Sequence, residues 1–427
     1  MEIFMEYGLI GEHLPHSFSK EIHEKIADYT YELCELAPKE LDAFMTSCDF
    51  KGINVTIPYK QAVIPYLHSV DPFAREIGAV NTVINRGGKL YGYNTDFYGL
   101  CALIKRVRAS LDGLHVLILG TGGTSRTAQA AAKALGASRV TVAGRSKKQG
   151  VLSYGEAYEI GTDIGFIINT TPCGMFPFPD GNENTPACAV DISRFPSLCG
   201  VVDAVYNPLR TNLVLNALER GVKAEGGLYM LVSQAVKASE LFCDSEYPEG
   251  MTDEVFWDIS KGKESIILTG MPGSGKSTIG RLLARCTGRA FVDTDDLIVE
   301  DAGMPITEIF NTYGEKHFRD LESAAVKKAA NMTGAVIATG GGVILRCENV
   351  RALKRSGKIF FLNRPLSQIV PTSDRPLSSD EAALKRRFVE RFPIYSATCD
   401  FKIDTDGIAE HTAKTILDLF GFGSSQN

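Results

Sequence analysis

Two glycine-rich stretches carry residue types suited to phosphate chemistry, "LILGTGGTSRTA" at 117–128 and "ILTGMPGSGKST" at 267–278. Each reads as an apolar strand, a glycine turn and a helix, which aims backbone N–H groups at an anion. The second fits the whole GxxxxGK(S/T) pattern over 270–277. In such a loop Gly273, Ser274, Gly275 and Thr278 frame the phosphates of ATP, Lys276 reaches the β and γ positions, and Ser277 ligates Mg2+. The first has the spacing of a dinucleotide turn, with Gly120, Thr121, Gly122, Gly123 and Thr124 facing a pyrophosphate and Ser125 in the place of a third glycine. It has no phosphate-gripping lysine, and a plain turn packing a helix on a sheet is the alternative. Beyond the next strand, "AGRSKK" puts Arg145 and Ser146 where an adenosine ribose would sit. A cation there suits the 2′-phosphate of NADP, whereas an acid would suit NAD; the plainer reading is a solvated basic face.

The elements that must position these loops are short apolar runs alternating with amphipathic segments: "EYGLIG", "YELCEL", "GINVTI", "HVLILG", "RVTVAG", "FIINTT", "GVVDAV" and "SIILT". Strands separated by helices predict an α/β protein with largely parallel sheets covered on both faces. A chain of 427 residues is long enough for two or three domains. The polar, Pro- and Gly-containing stretch at 244–264 precedes a new strand, so the main boundary is expected near 260. A net charge of −6 does not suit a general nucleic-acid binder, which needs a clustered basic surface, and points to small-molecule ligands. The ten cysteines show no CxxC pair and no metal-ligand spacing, the pattern of reduced thiols in a cytoplasmic protein. "MEIFMEYGLIGEHL" lacks a basic n-region, and no apolar run reaches the ~18 residues of a membrane span, so neither a signal peptide nor membrane insertion is expected.

The segments "YGLIGEHLPHSFSKEIHEKI", "GINVTIPYK", "IGAVNTV", "GYNTDFYG", "NTTPCGM", "VVDAVYNPLRT" and "GLYMLVSQA" resemble, in order, the signature segments of shikimate dehydrogenase over residues 7 to 242. The resemblance implies reversible NADPH-dependent reduction of 3-dehydroshikimate. It assigns Lys60 as the proton donor and Asp96 as its partner carboxylate. Ser17 and Ser19 would bind the substrate carboxylate; Asn54, Thr56, Asn81, Tyr206 and Gln234 would complete the substrate site; Gly227 and Met230 would line the nicotinamide cleft. From spacing alone, Lys60 could be a surface lysine, Asp96 an N-cap, and one serine a helix cap. The chain must return to its first lobe near residue 225, which makes the site a cleft. Gly144 stands where the family has Asn before Arg145. Only about 20 residues separate "GRS" from "FIINTTP", so one crossover helix is expected to be short or lost.

In the last third, "FVDTDDLI", "IFNTYGEKHFRDLES", "VIATGGGVI", "DRPL" and "ERFPIY" resemble shikimate kinase, again in order. This implies transfer of the γ-phosphoryl group of ATP to the 3-hydroxyl of shikimate. Asp293 would join Ser277 at Mg2+, and Asp295 would hold the reacting hydroxyl, although either aspartate could simply cap the helix that follows. Arg319 and Arg391 would grip the substrate carboxylate with their planar forks. Glu322 would brace Arg319 from three residues away, Gly340, Gly341 and Gly342 would let a ligand approach the backbone, and Arg375 would close over the phosphates from a short lid.

The expected layout is a substrate lobe at 1–100 with a returning segment at 225–250, an NADP-binding Rossmann-like lobe at 101–224, a linker at 251–263, and a P-loop kinase domain of the nucleoside-monophosphate-kinase type at 264–427. The product of the first reaction is the substrate of the second, which favours a bifunctional enzyme of aromatic amino acid (chorismate) biosynthesis. Its ligands would be 3-dehydroshikimate, shikimate, NADP(H), ATP and Mg2+. The rival readings are a quinate/shikimate dehydrogenase preferring NAD, a half that has lost catalysis and become regulatory, and a kinase half acting on another small hydroxylated acid.

Overall fold

The computed structural model describes residues 5–14, 17–147, 149–178, 188–369 and 381–422. The chain divides into two compact units, Met1–Ile259 and Ser260–Asn427. Among the described residues no helix is long and apolar enough to cross a membrane.

The first unit opens with strands β1 (Met5–Gly11), β2 (Tyr31–Glu35), β3 (Phe50–Val55), β4 (Ser69–Val70), β5 (Thr82–Arg86) and β6 (Lys89–Tyr93), ordered β2-β1-β3-β5-β6-β4. This sheet is mixed: β1 runs parallel to β2 and β3, whereas β5 pairs antiparallel with both β3 and β6. The tight return from β5 to β6 falls on Gly87 and Gly88, both at positive φ, which a hairpin turn requires of its central residues. A second sheet follows from β7 (His115–Leu119), β8 (Arg139–Gly144), β9 (Val151–Ser153), β10 (Ile164–Asn169), β11 (Gly200–Asp203) and β12 (Lys223–Glu225), all parallel in the order β12-β11-β10-β7-β8-β9. Every residue of β7 is buried, as expected of a central parallel strand covered on both faces. Between β8 and β9 no helix occurs among the described residues, in the crossover expected to be short or lost.

Two helices join the lobes. Thr95–Val107 leads out of the first sheet, and Leu228–Cys243 leads back to it. They cross at Gly99, where a Cβ would lie 2.5 Å from Met230 O and 3.0 Å from the Gln234 Cβ, so only glycine permits this approach. Residues 251–263, expected as a linker, form the helix Met251–Lys263 instead. Its apolar stripe explains the difference: Val255, Phe256 and Ile259 are buried against Leu228, Val232 and Val236 of the returning helix.

The second unit is built on β13 (Ser265–Thr269), β14 (Phe291–Asp293), β15 (Val336–Ala338), β16 (Gly357–Asn363) and β17 (Phe401–Asp404), all parallel in the order β14-β15-β13-β16-β17. Its central strand β13 is wholly buried and ends at Thr269, just before the glycine-rich loop that starts at Gly270. Functional loops thus gather at the carboxyl ends of parallel strands, the general location of ligand sites in open α/β sheets.

Candidate active sites

The helix Thr95–Val107 takes its N-cap from Asn94, whose side chain accepts from Phe97 N at 3.1 Å. Asp96 is therefore free of capping. It lies buried in the first helical turn, where the helix dipole favours a carboxylate, and accepts from Lys60 Nζ at 2.6 Å. Lys60 sits in the loop after β3, and its own carbonyl accepts from Val80 N at 2.8 Å, which ties that loop to the segment leading into β5.

Asn81 binds the start of the same helix twice: Oδ1 accepts from Thr95 N at 2.6 Å, and Nδ2 donates to Thr95 Oγ1 at 3.0 Å. Nδ2 also reaches Gln234 Oε1 on the returning helix at 3.4 Å. Asn54 donates to Thr82 Oγ1 at 3.0 Å and accepts from Tyr31 Oη at 2.7 Å, so protein groups already fix its amide. Tyr31 stacks on His23 at 3.9 Å, and the His23 Nδ1 shares a hydrogen bond with Tyr29 Oη at 2.6 Å. Complete burial pushes His23 down to about 3, against a weak upward pull from Asn54.

Ser17 Oγ accepts from Ser19 N, the first N–H of the helix Ser19–Ile26, at 3.2 Å. Tyr206 packs edge-on against Phe18 between them, with ring centroids 5.2 Å apart. Thr56 N donates to Ile10 O at 3.0 Å, which holds Thr56 beside the end of β1. Lys60, Asp96, Asn81, Asn54 and Gln234 are thus joined through a single web of direct and short backbone links. Ser17, Ser19 and Tyr206 gather around Phe18 at the start of the first helix.

In the first glycine turn Gly120 adopts φ +111°, and a Cβ there would lie 2.6 Å from Thr170 Oγ1. Gly122 precedes the helix Gly123–Ala134, and Cβ atoms at Gly122 or Gly123 would meet nothing within 4 Å. An open approach to unpaired N–H groups at a helix start fits a pyrophosphate. Thr121 is exposed, Thr124 half-buried, and Arg145 and Ser146 stand exposed just past β8. Gly144 closes on the turn, since a Cβ there would be 3.2 Å from Thr121 Cγ2. Gly227 precedes the returning helix where the chain passes Ala204, whose carbonyl carbon would lie 2.6 Å from an added Cβ; Met230, one turn on, is buried.

In the second unit Gly270, Gly273 and Gly275 adopt φ of +147°, +79° and +95°, values that wrap the loop around the start of the helix Lys276–Thr287. Lys276 is buried and its Nζ donates to Gly270 O at 2.9 Å and Met271 O at 3.0 Å. Ser274 Oγ is buried with no hydrogen-bond partner, a donor available inside a phosphate cradle, while Thr278 is exposed. Ser277 Oγ donates to Asp293 Oδ2 at 2.7 Å. The other oxygen of Asp293 caps the helix Thr294–Ala302 by accepting from Asp295 N at 3.0 Å. A hydroxyl and one carboxylate suit Mg2+, which keeps most of its shell for water and phosphate. No cluster of three or more His, Cys, Asp or Glu able to hold a metal occurs among the described residues.

The tract Gly340–Gly342 follows β15 and touches the remaining predicted residues. A Cβ on Gly340 would lie 2.5 Å from Asp295 Oδ1, and one on Gly342 would lie 2.6 Å from Arg319 Cζ. Gly341 O accepts from Arg391 Nη1 at 3.0 Å and from Tyr395 Oη at 2.6 Å. Arg319 Nη1 donates to both oxygens of Glu322, at 3.0 and 2.9 Å, and Nη2 to Glu315 at 3.0 Å. Burial pulls the Arg319 guanidinium down, but Glu322 and Glu315 more than offset it and its pKa is raised. Glu322, only 1 % exposed, is pushed up by burial and by Asp295 despite Arg319. Arg375 lies outside the described residues. Sequence reasoning passes over Glu315 and Tyr395, both four residues from an assigned arginine, a helical spacing that could have found them. It also passes over His23, and Thr95 and Tyr31, which bind Asn81 and Asn54 from other elements.

Comparison with known proteins finds relatives of both parts of the chain. The family model described as shikimate dehydrogenase substrate binding domain matches residues 9–83, and the shikimate kinase family model matches 272–420. A shikimate dehydrogenase (NADP(+)) of Clostridium perfringens is 35% identical over 271 residues, covering 59% of this chain and 97% of that protein. Among solved structures, a chorismate mutase/shikimate 5-dehydrogenase fusion from Clostridium acetobutylicum is 34% identical with a TM-score of 0.55, covering 60% of this chain and 97% of that one. A quinate dehydrogenase from Corynebacterium glutamicum in complex with NAD is 26% identical with a TM-score of 0.52, covering 60% and 99%. The chain accordingly belongs to the shikimate dehydrogenase family and continues into a shikimate kinase domain, an NADP-dependent oxidoreductase and an ATP-dependent kinase on one polypeptide.

Proposed function

We propose that the first unit reduces 3-dehydroshikimate to shikimate with NADPH, and that the second phosphorylates the 3-hydroxyl of shikimate with ATP and Mg2+, in the chorismate route to aromatic amino acids and in the cytoplasm. The observation that carries the first half is the Lys60–Asp96 contact of 2.6 Å beside a run of neutral amides and hydroxyls. Lys60 gives its proton to the carbonyl oxygen as that oxygen gains charge, while Asp96 holds the ammonium in place. Asn54, Thr56, Asn81, Tyr206 and Gln234 orient the ring hydroxyls, and Ser17 and Ser19 bind the carboxylate. Gly120 to Thr124, Gly227 and Met230 line the dinucleotide, with Arg145 and Ser146 at the 2′-phosphate.

In the second unit Arg319 and Arg391 hold the shikimate carboxylate across the glycine tract, and Asp295 accepts the hydroxyl proton. Lys276 and Arg375 balance charge on the phosphates, framed by Gly273, Ser274, Gly275 and Thr278, while Ser277 and Asp293 hold Mg2+. When bound, NADPH supplies hydride and ATP supplies the phosphoryl group. The test is direct: the purified chain oxidises NADPH with 3-dehydroshikimate and, given ATP and Mg2+, yields shikimate 3-phosphate. Lys60→Ala abolishes only the first activity and Lys276→Ala only the second. Loss of both activities in either variant, or of neither, refutes the two-site assignment.

A further inference from the structure

Arg126 lies in the first turn of the helix Gly123–Ala134, close to the open space over Gly122 and Gly123. A cation at that place is a natural partner for a dinucleotide phosphate. Its guanidinium is turned to the opposite lobe instead. With the Gln61 amide oriented so that its carbonyl meets the donors, Gln61 Oε1 accepts from Arg126 Nη1 at 2.9 Å and Nη2 at 3.1 Å. Nη1 also lies 3.3 Å from where a Cβ of Gly78 would stand, at the end of the helix Pro72–Ile77. Gln61 directly follows Lys60, and Gly78 leads into Val80, whose N–H holds Lys60 O at 2.8 Å, and then into Asn81. Arg126 therefore reaches from the element that starts the cofactor side to both segments that build the substrate side.

From this geometry we propose that Arg126 is a cross-cleft positioning residue, which couples dinucleotide binding to the placement of Lys60 and does not serve as a phosphate ligand. The inference rests on the dehydrogenase reading of the first unit. Two N–H groups converging on one amide oxygen restrict both distance and angle, so a ligand that fixes the start of the Arg126 helix also fixes Gln61. By linkage, the substrate must then tighten the dinucleotide by the same factor that the dinucleotide tightens the substrate. Because Arg126 is exposed, the factor is small, about fivefold.

The experiment uses the full chain with NADP+ and 3-dehydroshikimate, a pair in which both ligands are oxidised, so no hydride moves and calorimetry reads binding alone. In the wild type each ligand should bind about fivefold more tightly when the other is saturating. Arg126→Met and Gln61→Met each lose that enhancement, the double variant is no worse than either single one, and Gln61→Glu, which keeps the acceptor, restores it. NADP+ alone should bind every variant within about twofold of wild type. Absence of coupling in the wild type, its survival in Arg126→Met, or a weakening of NADP+ alone by about tenfold in that variant overturns the inference. Failure of the wild type to bind either ligand, in a preparation that still phosphorylates shikimate, overturns the dehydrogenase reading itself and the inference with it.

Discussion

Replacing Gly342 by Ala is a perturbation whose effect can be worked out from distances. At φ −100° and ψ −7° alanine carries no backbone strain, so the whole effect comes from the space its methyl group needs. That methyl would overlap Arg319 Nη1 and lie 2.6 Å from Cζ and 2.8 Å from Nη2. The guanidinium cannot simply withdraw, because Glu322 is 1 % exposed and takes two hydrogen bonds from it. Leaving that carboxylate without its partner costs about 3–5 kcal/mol, so the glycine tract and the arginine shift relative to one another while the ion pair is kept. With Arg319 holding the substrate carboxylate as proposed, that carboxylate then loses one well-placed charge-assisted hydrogen bond, about 1.5–3 kcal/mol. In kcat/KM for shikimate this is a fall of about 10- to 150-fold. ADP release measured against shikimate concentration reads it, with dehydrogenase turnover of the same preparation as the internal reference. A kcat/KM within about twofold of wild type would show that Arg319 is not packed under Gly342 as described, or does not contact substrate.

Two further outcomes follow from the first unit. Asp96→Asn removes the charge that orients Lys60 and should slow NADPH oxidation at saturating 3-dehydroshikimate by about 100-fold, with kinase turnover untouched; a rate within about threefold of wild type contradicts the pairing as the source of the acid. His23 has its pKa depressed from 6.5 to about 3 in the folded chain, so below about pH 6.5 the unfolded chain takes up a proton that the folded chain refuses. Its stabilising contribution is complete above that pH and falls by about 1.4 kcal/mol per unit as the pH drops toward 3. Urea unfolding followed by Trp257, the chain's one tryptophan, should show this slope, and His23→Phe should flatten it; equal slopes in the two proteins would remove His23 as the cause.

Much of the fold and site is legible in the sequence because the relevant signals are local. The phosphate loop declares itself through the conformations its glycines must adopt and the helix that follows it. Central strands such as β7 and β13 are continuous apolar runs because both of their faces are covered. Asp96 shows where local reading stops: as a possible cap it competes with Asn94, and only the fold decides that Asn94 caps and Asp96 pairs with Lys60, 36 residues away. The helix Met251–Lys263 reads as a linker because Pro248, Gly250 and the charges around them outweigh a stripe of Met251, Val255, Phe256 and Ile259 at helical spacing. Tyr31 and Thr95, which tie Asn54 and Gln234 into one web, have no sequence signal of their own, since each link joins a different pair of elements. Arg126 is hidden for the opposite reason: its position in the dinucleotide turn suggests a phosphate partner, and only the other lobe supplies the one it has.

The direct return from β8 to β9 has a consequence for how this enzyme can change. Arg145, Ser146 and Lys147 are exposed on a connection whose described residues form no helix and are all exposed. Substitutions at such positions usually alter stability by no more than about 0.5 kcal/mol. On the proposed reading, the adenosine end of the cofactor would meet a short rim that can be rewritten without disturbing the sheet beneath it. Selection or design could exchange one dinucleotide for the other through this loop alone, leaving the catalytic pair and the kinase that follows intact.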